Sequence, residues 1–291
     1  MPAVGFLCNG QRVHFDTCLK ECPFSDRFPG GRCLTKRTLR FIAEQREWTG
    51  TPSTTQLLKG TREAVFDILY PYYIDPQKAI FRIIGTKGHG LLDQYVDSNE
   101  LGEIRIKDEI SSGAFDFYDP ETGDLYDTKT SGSYKIRKAM GLFSVDVPTG
   151  GVYKSGEKKG QPKTHKEWRE GGYRDCLDWK IQLNDYRLKL ESCGFPVKKM
   201  FIEALARDGG LRAAASNGVE QNGTLIPIGR IPDRHIKAYM QTKKDRLINA
   251  LESGFIPPKC KTRETWNGRK CQGYCNVSEY CQIVDRTEVS K

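Results

Sequence analysis

Eight of the ten cysteines in this chain stand in two groups of four, one near each end. Cys8, Cys18, Cys22 and Cys33 are spaced C-x9-C-x3-C-x10-C, and Cys260, Cys271, Cys275 and Cys281 are spaced C-x10-C-x3-C-x5-C. The first residues lack a basic start followed by a long apolar segment, so no signal peptide is expected. No apolar run approaches the roughly 18 residues of a membrane span. The chain therefore reads as a soluble cytoplasmic protein, a setting that keeps thiols reduced and disfavours disulfides. Four thiolates are what a tetrahedral zinc or a [4Fe–4S] cluster needs. Both end segments are rich in Gly, Asn, Asp and Lys and poor in aliphatic residues, so a metal is expected to replace a core there. Cys176 and Cys193, in between, read as small buried hydrophobes. The expected organisation is a cysteine-rich metal-binding segment over 1–36, a body over 37–255 and a second such segment over 256–291.

The body changes period along its length. Helical spacing of apolar residues predicts helices over 37–46, 55–69 and 79–95. Residues 104–110 then alternate apolar and polar as a half-buried strand does. Two more strands are expected over 113–118 and 125–130, joined by Asp119-Pro-Glu-Thr-Gly-Asp124 as a hairpin connection. Residues 148–172 read as a long polar loop, 173–193 as helix, 197–206 as strand and 231–251 as a basic helix. The expected class is α/β.

The hairpin carries the chemistry. Asp116 would stand mid-strand, and Asp127 and Lys129, two apart, would project from one face of the next strand. Two carboxylates and an amine suit Mg²⁺-dependent phosphodiester cleavage. The carboxylates hold a hard cation, and the cation polarises the phosphate and generates hydroxide. The amine orients water and offsets transition-state charge. Upstream, Gly85-Thr-Lys-Gly-His89 places an imidazole just before the strands. Downstream, Gln182 and Tyr186 lie one turn apart on a helix face.

In that order, G-x-x-x-H, G-x-x-D, D-x-K and Q-x-x-x-Y resemble the RecB-type nuclease domain of the PD-(D/E)xK superfamily, over about residues 85–205. The resemblance implies a central mixed sheet flanked by helices. It implies His89, Asp116, Asp127 and the Thr128 carbonyl as ligands to Mg²⁺ or Mn²⁺, and Lys129 as the catalytic lysine. Gln182 and Tyr186 would shape the site and its DNA contacts. The trio Cys271, Cys275 and Cys281 is similar to that of AddB and CRISPR-associated adaptation nucleases, where one cysteine ahead of the nuclease motifs and three after them bind [4Fe–4S]. A complete quartet at each end departs from that pattern. Short loops close more easily than one spanning most of the chain, which favours two local sites, with zinc at the N-terminal one and zinc or iron–sulfur at the C-terminal one. A folded body could still bring the ends together into one cluster.

The chain holds 46 Lys+Arg against 37 Asp+Glu, a net charge of +9, which fits a polyanionic partner without identifying it. Lys154, Lys158, Lys159, Lys163 and Lys166, and the basic helix over 230–246, could contact phosphates. The expected activity is a metal-dependent DNase, an exonuclease acting on single strands or duplex ends in repair, recombination, phage replication or defence. The alternative is a catalytically silent nucleic-acid-binding or scaffold protein with a nuclease-like fold.

Overall fold

The computed structural model describes residues 3–289, with the side chains of residues 87–89 and 287–289 outside the description. In chain order the elements are β1 (Ala3–Cys8), β2 (Gln11–His14), α1 (Phe15–Lys20), α2 (Lys36–Ala43), α3 (Thr54–Leu57), α4 (Thr61–Leu69), β3 (Tyr72–Ile74), α5 (Pro76–Ala79) and α6 (Arg82–Leu92). There follow β4 (Ile104–Lys107), β5 (Ser112–Phe115), β6 (Phe117–Asp119), β7 (Asp124–Ser131), α7 (Ser133–Met140), β8 (Phe143–Val152) and β9 (Pro162–Arg169). The chain ends with α8 (Leu177–Ser192), β10 (Lys199–Ala206), α9 (Arg212–Ser216), β11 (Gly223–Pro227), α10 (Asp233–Ser253) and α11 (Ser278–Val289). This is a mixed α/β fold. No helix among the described residues is long and apolar enough to cross a membrane.

The chain forms two compact units. One comprises residues 1–95, 104–114 and 231–291, the other 96–103 and 115–230.

In the first unit, β1 pairs antiparallel with β2 and parallel with β3. Phe6, Val13, Leu39, Ile42 and Ile74 form a core with Cys8 and Cys18 among them. This corrects the expectation that a metal replaces a core at the N-terminal end. Alternate residues of β1 and the inner face of α2 bury enough apolar surface for a core in their own right. The helix expected over 55–69 is divided. Ser53 and Gln56 close a reciprocal capping box on α3, and α4 starts afresh after Gly60. A Cβ at Gly60 would lie 2.2 Å from the Cys260 sulfur, so only glycine fits where the C-terminal segment packs. The helix expected over 79–95 begins earlier. Asp75 accepts the Gln77 amide at 3.0 Å and Pro76 sits at the first helical position, giving the short α5 before α6.

The second unit is built on a four-stranded mixed sheet in the order β11-β10-β7-β6. β7 runs parallel to β10, while β6 and β11 pair antiparallel to their neighbours. The 119–124 connection is a hairpin as expected. Asp119 accepts the Glu121 amide at 2.9 Å and the Thr122 hydroxyl at 2.6 Å, and Gly123 takes a left-handed φ of +74°. Leu125, Ile136, Leu183 and Ile202 are fully buried, and truncating any of them to Ala would cost about 2–5 kcal/mol. α8 packs on β7.

Residues 148–172 are not a loop. β8 and β9 form an antiparallel ribbon of their own, with Asp146 opposite Lys166 and Val147 opposite His165. Both of its faces are largely exposed; Phe143, Val145 and Val147 alternate with polar residues, but residues 148–152 and β9 lack the apolar alternation by which a strand is read from sequence.

Candidate active site

Asp116 does not stand mid-strand as expected. It is a single bend residue between Phe115, which ends β5, and Phe117, which begins β6. β5 pairs with β4 and β6 with β7, so the chain changes sheets at Asp116. β6 pairs with β7 only as far as Phe117 opposite Tyr126. Beyond that point the edge of β7 is taken by the Asp116 carboxylate, whose Oδ2 accepts the Thr128 amide at 2.6 Å. The amide and carbonyl of one strand residue point to the same edge, so the Thr128 carbonyl faces that side too.

Asp127 and Lys129 leave the same face of β7, and their carboxylate and ammonium lie 2.6 Å apart. The Asp127 side chain is 2% exposed and that of Lys129 is 24% exposed, so the carboxylate is enclosed and the lysine beside it is only partly covered. α8 lies over this face. Gln182 donates to the Tyr186 hydroxyl at 2.9 Å and reaches Asp127 Oδ1 at 3.5 Å, the outer limit of a hydrogen bond. Gln182 and Tyr186 meet because they are four apart on one helix face.

Burial alone would lower the Lys129 pKa, but Asp127, Asp116 and Asp178 outweigh it, so the amine is held above the ordinary lysine value. It is a cation at neutral pH. Burial and the negative charge of Asp127 push the Tyr186 phenol up, against the Gln182 hydrogen bond, so it stays neutral and available as a hydrogen-bonding group.

Asp116, Asp127, Thr128, Lys129, Gln182 and Tyr186 thus meet in the second unit. His89 lies on α6 in the first unit, and its side chain is outside the described residues. Lys154, Lys158, Lys159, Lys163 and Lys166 lie along the β8–β9 ribbon and its tip; the ammonium groups of Lys158 and Lys163 each sit 5.9 Å from the Tyr153 ring centre.

Two carboxylates escaped the sequence reading. Glu203 accepts the Thr128 hydroxyl at 2.8 Å, across the parallel pairing that sets Thr128 opposite Glu203. Asp178 accepts from Lys135 at 2.9 Å and adds to the field on Lys129. A carboxylate inside a half-buried strand such as 199–206 is a usable signal; its register against β7 is not local information.

The donors at this end of β7 are all oxygen: two carboxylates and a carbonyl, the ligand type that Mg²⁺ and Mn²⁺ prefer. Among the described residues, no group of three or more His, Cys, Asp or Glu side chains is arranged to hold a metal ion. The positive charge beside Asp127 is that of Lys129.

None of the ten cysteines forms a disulfide. Those near the N-terminus gather with one another. The Cys8 thiol is raised by burial and by Cys33 and Cys22, with a hydrogen bond between Cys8 and Cys33; the Cys18 thiol is raised by burial, Cys22 and Cys33. Near the C-terminus, burial raises Cys281 to about 11, with Cys260 and Cys271 close by. Cys275 instead neighbours Glu63 and Asp67, and burial and those charges push it up to about 12.

No family model matches the chain, and no curated protein matches its sequence. Among solved structures, the chain is similar to one described as SSO0001, with 15% identity, 84% of this chain and 91% of that one covered, and a TM-score of 0.44. It is also similar to a phage-related exonuclease from Haemophilus somnus 129PT, with 13% identity, 70% and 96% coverage, and a TM-score of 0.39.

Proposed function

We propose that the chain is a metal-dependent nuclease that hydrolyses phosphodiester bonds in DNA, in keeping with a PD-(D/E)xK core. The observation that carries the reading is the juxtaposition of Asp116, Asp127 and Lys129 at one end of β7 under Gln182 and Tyr186. The residues that would hold Mg²⁺ or Mn²⁺ are Asp116, Asp127 and the Thr128 carbonyl; His89 joins them on the strength of the sequence motif alone. When bound, such a cation supplies Lewis-acid polarisation of the phosphate and hydroxide at neutral pH. Lys129, cationic and partly exposed, offsets the charge that develops on the phosphoryl oxygens and orients the attacking water. Gln182 and Tyr186 fix the Asp127 carboxylate from above.

The cysteine groups are proposed as two separate metal sites, zinc in the N-terminal quartet and zinc or [4Fe–4S] in the C-terminal one. The support is that the N-terminal thiols neighbour one another, while Cys281 neighbours Cys260 and Cys271. Burial raises Cys8, Cys18, Cys33, Cys260, Cys275 and Cys281, so a metal must displace protons from these thiols as it binds. Metal analysis of anaerobically purified protein separates the cases. About two zinc per chain supports two zinc sites; iron with a brown chromophore supports a cluster; neither above trace refutes both.

The nuclease reading is tested by incubating end-labelled single- and double-stranded DNA with the protein, with and without Mg²⁺ or Mn²⁺. Metal-dependent cleavage is expected. Shortening from the label or from the opposite end separates exonuclease from internal cutting. DNA that binds and stays intact would favour the silent scaffold.

A further inference from the structure

The outer face of α7 carries a stack of alternating rings and cations. Ser133, Ile136 and Ala139 are buried beneath the helix, while Tyr134, Arg137 and Lys138 share the other side. The Arg137 guanidinium lies 4.8 Å from the Tyr134 ring centre and 5.4 Å from that of Trp168, within cation–π reach of both. The Lys138 ammonium is 5.7 Å from the Tyr134 ring. Trp168 is fixed from behind by Gly218, whose φ is +71° and where a Cβ would come within 2.3 Å of the indole. The order is indole, guanidinium, phenol, and the outermost ring is 51% exposed.

Folding alone does not account for this stack. Arg137 Nε is buried with no hydrogen-bond partner among the described residues, a costly state for a donor that calls for an explanation. Lys138 is paired with Asp175 and Lys135 with Asp178, whereas Arg137 lies over two rings, those of Tyr134 and Trp168. An exposed aromatic backed by cations is the arrangement on which unpaired bases stack while phosphates meet the charges. Duplex bases, stacked on one another, offer no such face.

We propose that Tyr134, backed by Arg137 and Trp168, is a stacking platform for an unpaired base of single-stranded nucleic acid. The inference deepens the nuclease reading and rests on it for the route of the strand. Tyr134 follows Lys129 by five residues, so the two α-carbons are at most about 17 Å apart. That is about five nucleotides of a strand with duplex spacing, close enough for one strand to touch both.

The test is fluorescence anisotropy with the full chain as purified, any cysteine-bound metal intact and no Mg²⁺ or Mn²⁺ added, using labelled oligothymidine, oligouridine and a blunt DNA duplex. Tyr134→Ala is expected to weaken single-strand binding at least about fivefold, Tyr134→Phe to stay within about twofold of the parent, and duplex binding to move little with either. Circular dichroism checks that both variants fold. Oligothymidine and oligouridine say whether the strand is DNA, RNA or either. An Ala variant that binds single strands within about twofold of the parent overturns the platform, as does a parent that binds none, or equal losses on single strand and duplex. Cleavage of the same DNA with Mn²⁺, scored separately, distinguishes the two ideas. A parent that cuts while the Ala variant binds normally sinks the platform and leaves the nuclease. A parent that never cuts while the Ala variant loses single-strand affinity sinks the nuclease and leaves the platform.

Discussion

The two units hold their chemistry-bearing side chains in place by different means. In the second, strand register does the work: Asp127 and Lys129 share a face because they are two apart on β7, and Gln182 and Tyr186 share one because they are four apart on α8. In the first, charged side chains tie together residues about two hundred apart in sequence. Arg62 on α4 donates to the Pro257 carbonyl at 2.6 Å and pairs with Asp285 at 3.1 Å. Lys270 reaches Glu63 at 2.6 Å, Lys243 donates to the Lys59 carbonyl and, nearer in sequence, pairs with Glu264 at 2.9 Å, and Tyr280 stacks on Tyr70 with ring centres 4.6 Å apart. These contacts dock the C-terminal cysteine segment on α4 and α10. Register holds the backbone of the site whichever side chain is lost, whereas the enclosed charges of the first unit hold distant segments of chain together.

Substitutions within the register-built site should therefore give the largest functional effect. Lys129→Ala is expected to lower cleavage by about 10²–10³-fold, the scale of removing one group that stabilises transition-state charge. Because it leaves the Asp127 carboxylate, 2% exposed, without its ammonium, stability should fall as well, and activity is compared where the variant is fully folded. Asp127→Ala should fall at least as far but be partly rescued by excess Mn²⁺, because it loses a ligand. The same excess should not rescue Lys129→Ala. Near-parental activity in either purified variant would remove the assignment.

In the first unit the order of effects reverses. Lys270→Met leaves the Glu63 carboxylate, 8% exposed, without its ammonium, and should cost about 3 kcal/mol of stability. The double variant Glu63→Gln with Lys270→Met should recover much of that loss. Urea unfolding of all three checks it; a single variant as stable as the parent would break the contrast between the units. Acid acts on the same ties. Burial would raise Glu264 and Asp285, but their basic partners win and hold both below the ordinary carboxylate values. Their contribution is therefore present above the unfolded pKa values near 4 and lost as pH falls through the lower folded ones.

What could be read from the sequence follows the same division. The hairpin at 119–124, the D-x-K face and the pairing of Gln182 with Tyr186 are local patterns with period two or about 3.6 and local turn chemistry, and they are found where they were read. The bend at Asp116 was missed because Gly113–Tyr118 is apolar or aromatic on both sides of Asp116 and reads as one strand, while its two halves join different sheets. The β8–β9 ribbon was missed because it has no buried face to impose a pattern. Glu203 and the Arg137–Trp168 stack depend on partners far away in sequence. The N-terminal core was missed because its apolar residues come from six separate elements spread over residues 3–79.

A smaller effect tests one tie of the long-range kind within the second unit. Asp208 accepts the Ser133 amide and hydroxyl, each at 2.7 Å, and so caps the start of α7 from a distant turn. Asp208→Ala should cost about 1 kcal/mol. The Ser133 hydroxyl holds the Asp208 pKa below its ordinary value. The contribution of the cap should therefore be present above pH about 4 and fade as pH falls further. Asp208→Ala should lose stability at neutral pH and show a flatter acid limb than the parent. Equal acid limbs would show that the cap does not carry this charge.

The smallest expected change is at the ribbon, which neither register nor enclosed charge holds to a core. An isolated two-stranded ribbon is marginal in water, yet this one carries Lys154, Lys158 and Lys159 at its tip and Lys163 and Lys166 on β9. A ribbon of this kind fits the major groove of a duplex, and tip lysines that meet phosphates release counterions. Replacing Lys154, Lys158 and Lys159 together by Ala should lower duplex affinity modestly. It should also reduce the slope of log affinity against log salt by about 0.9 for each phosphate that is no longer neutralised. Tyr134→Ala should leave that slope unchanged, since stacking releases no counterions. A triple variant whose salt slope matches the parent's would mean that the ribbon does not touch the backbone, and that its five lysines serve only to keep an exposed edge from pairing with another chain.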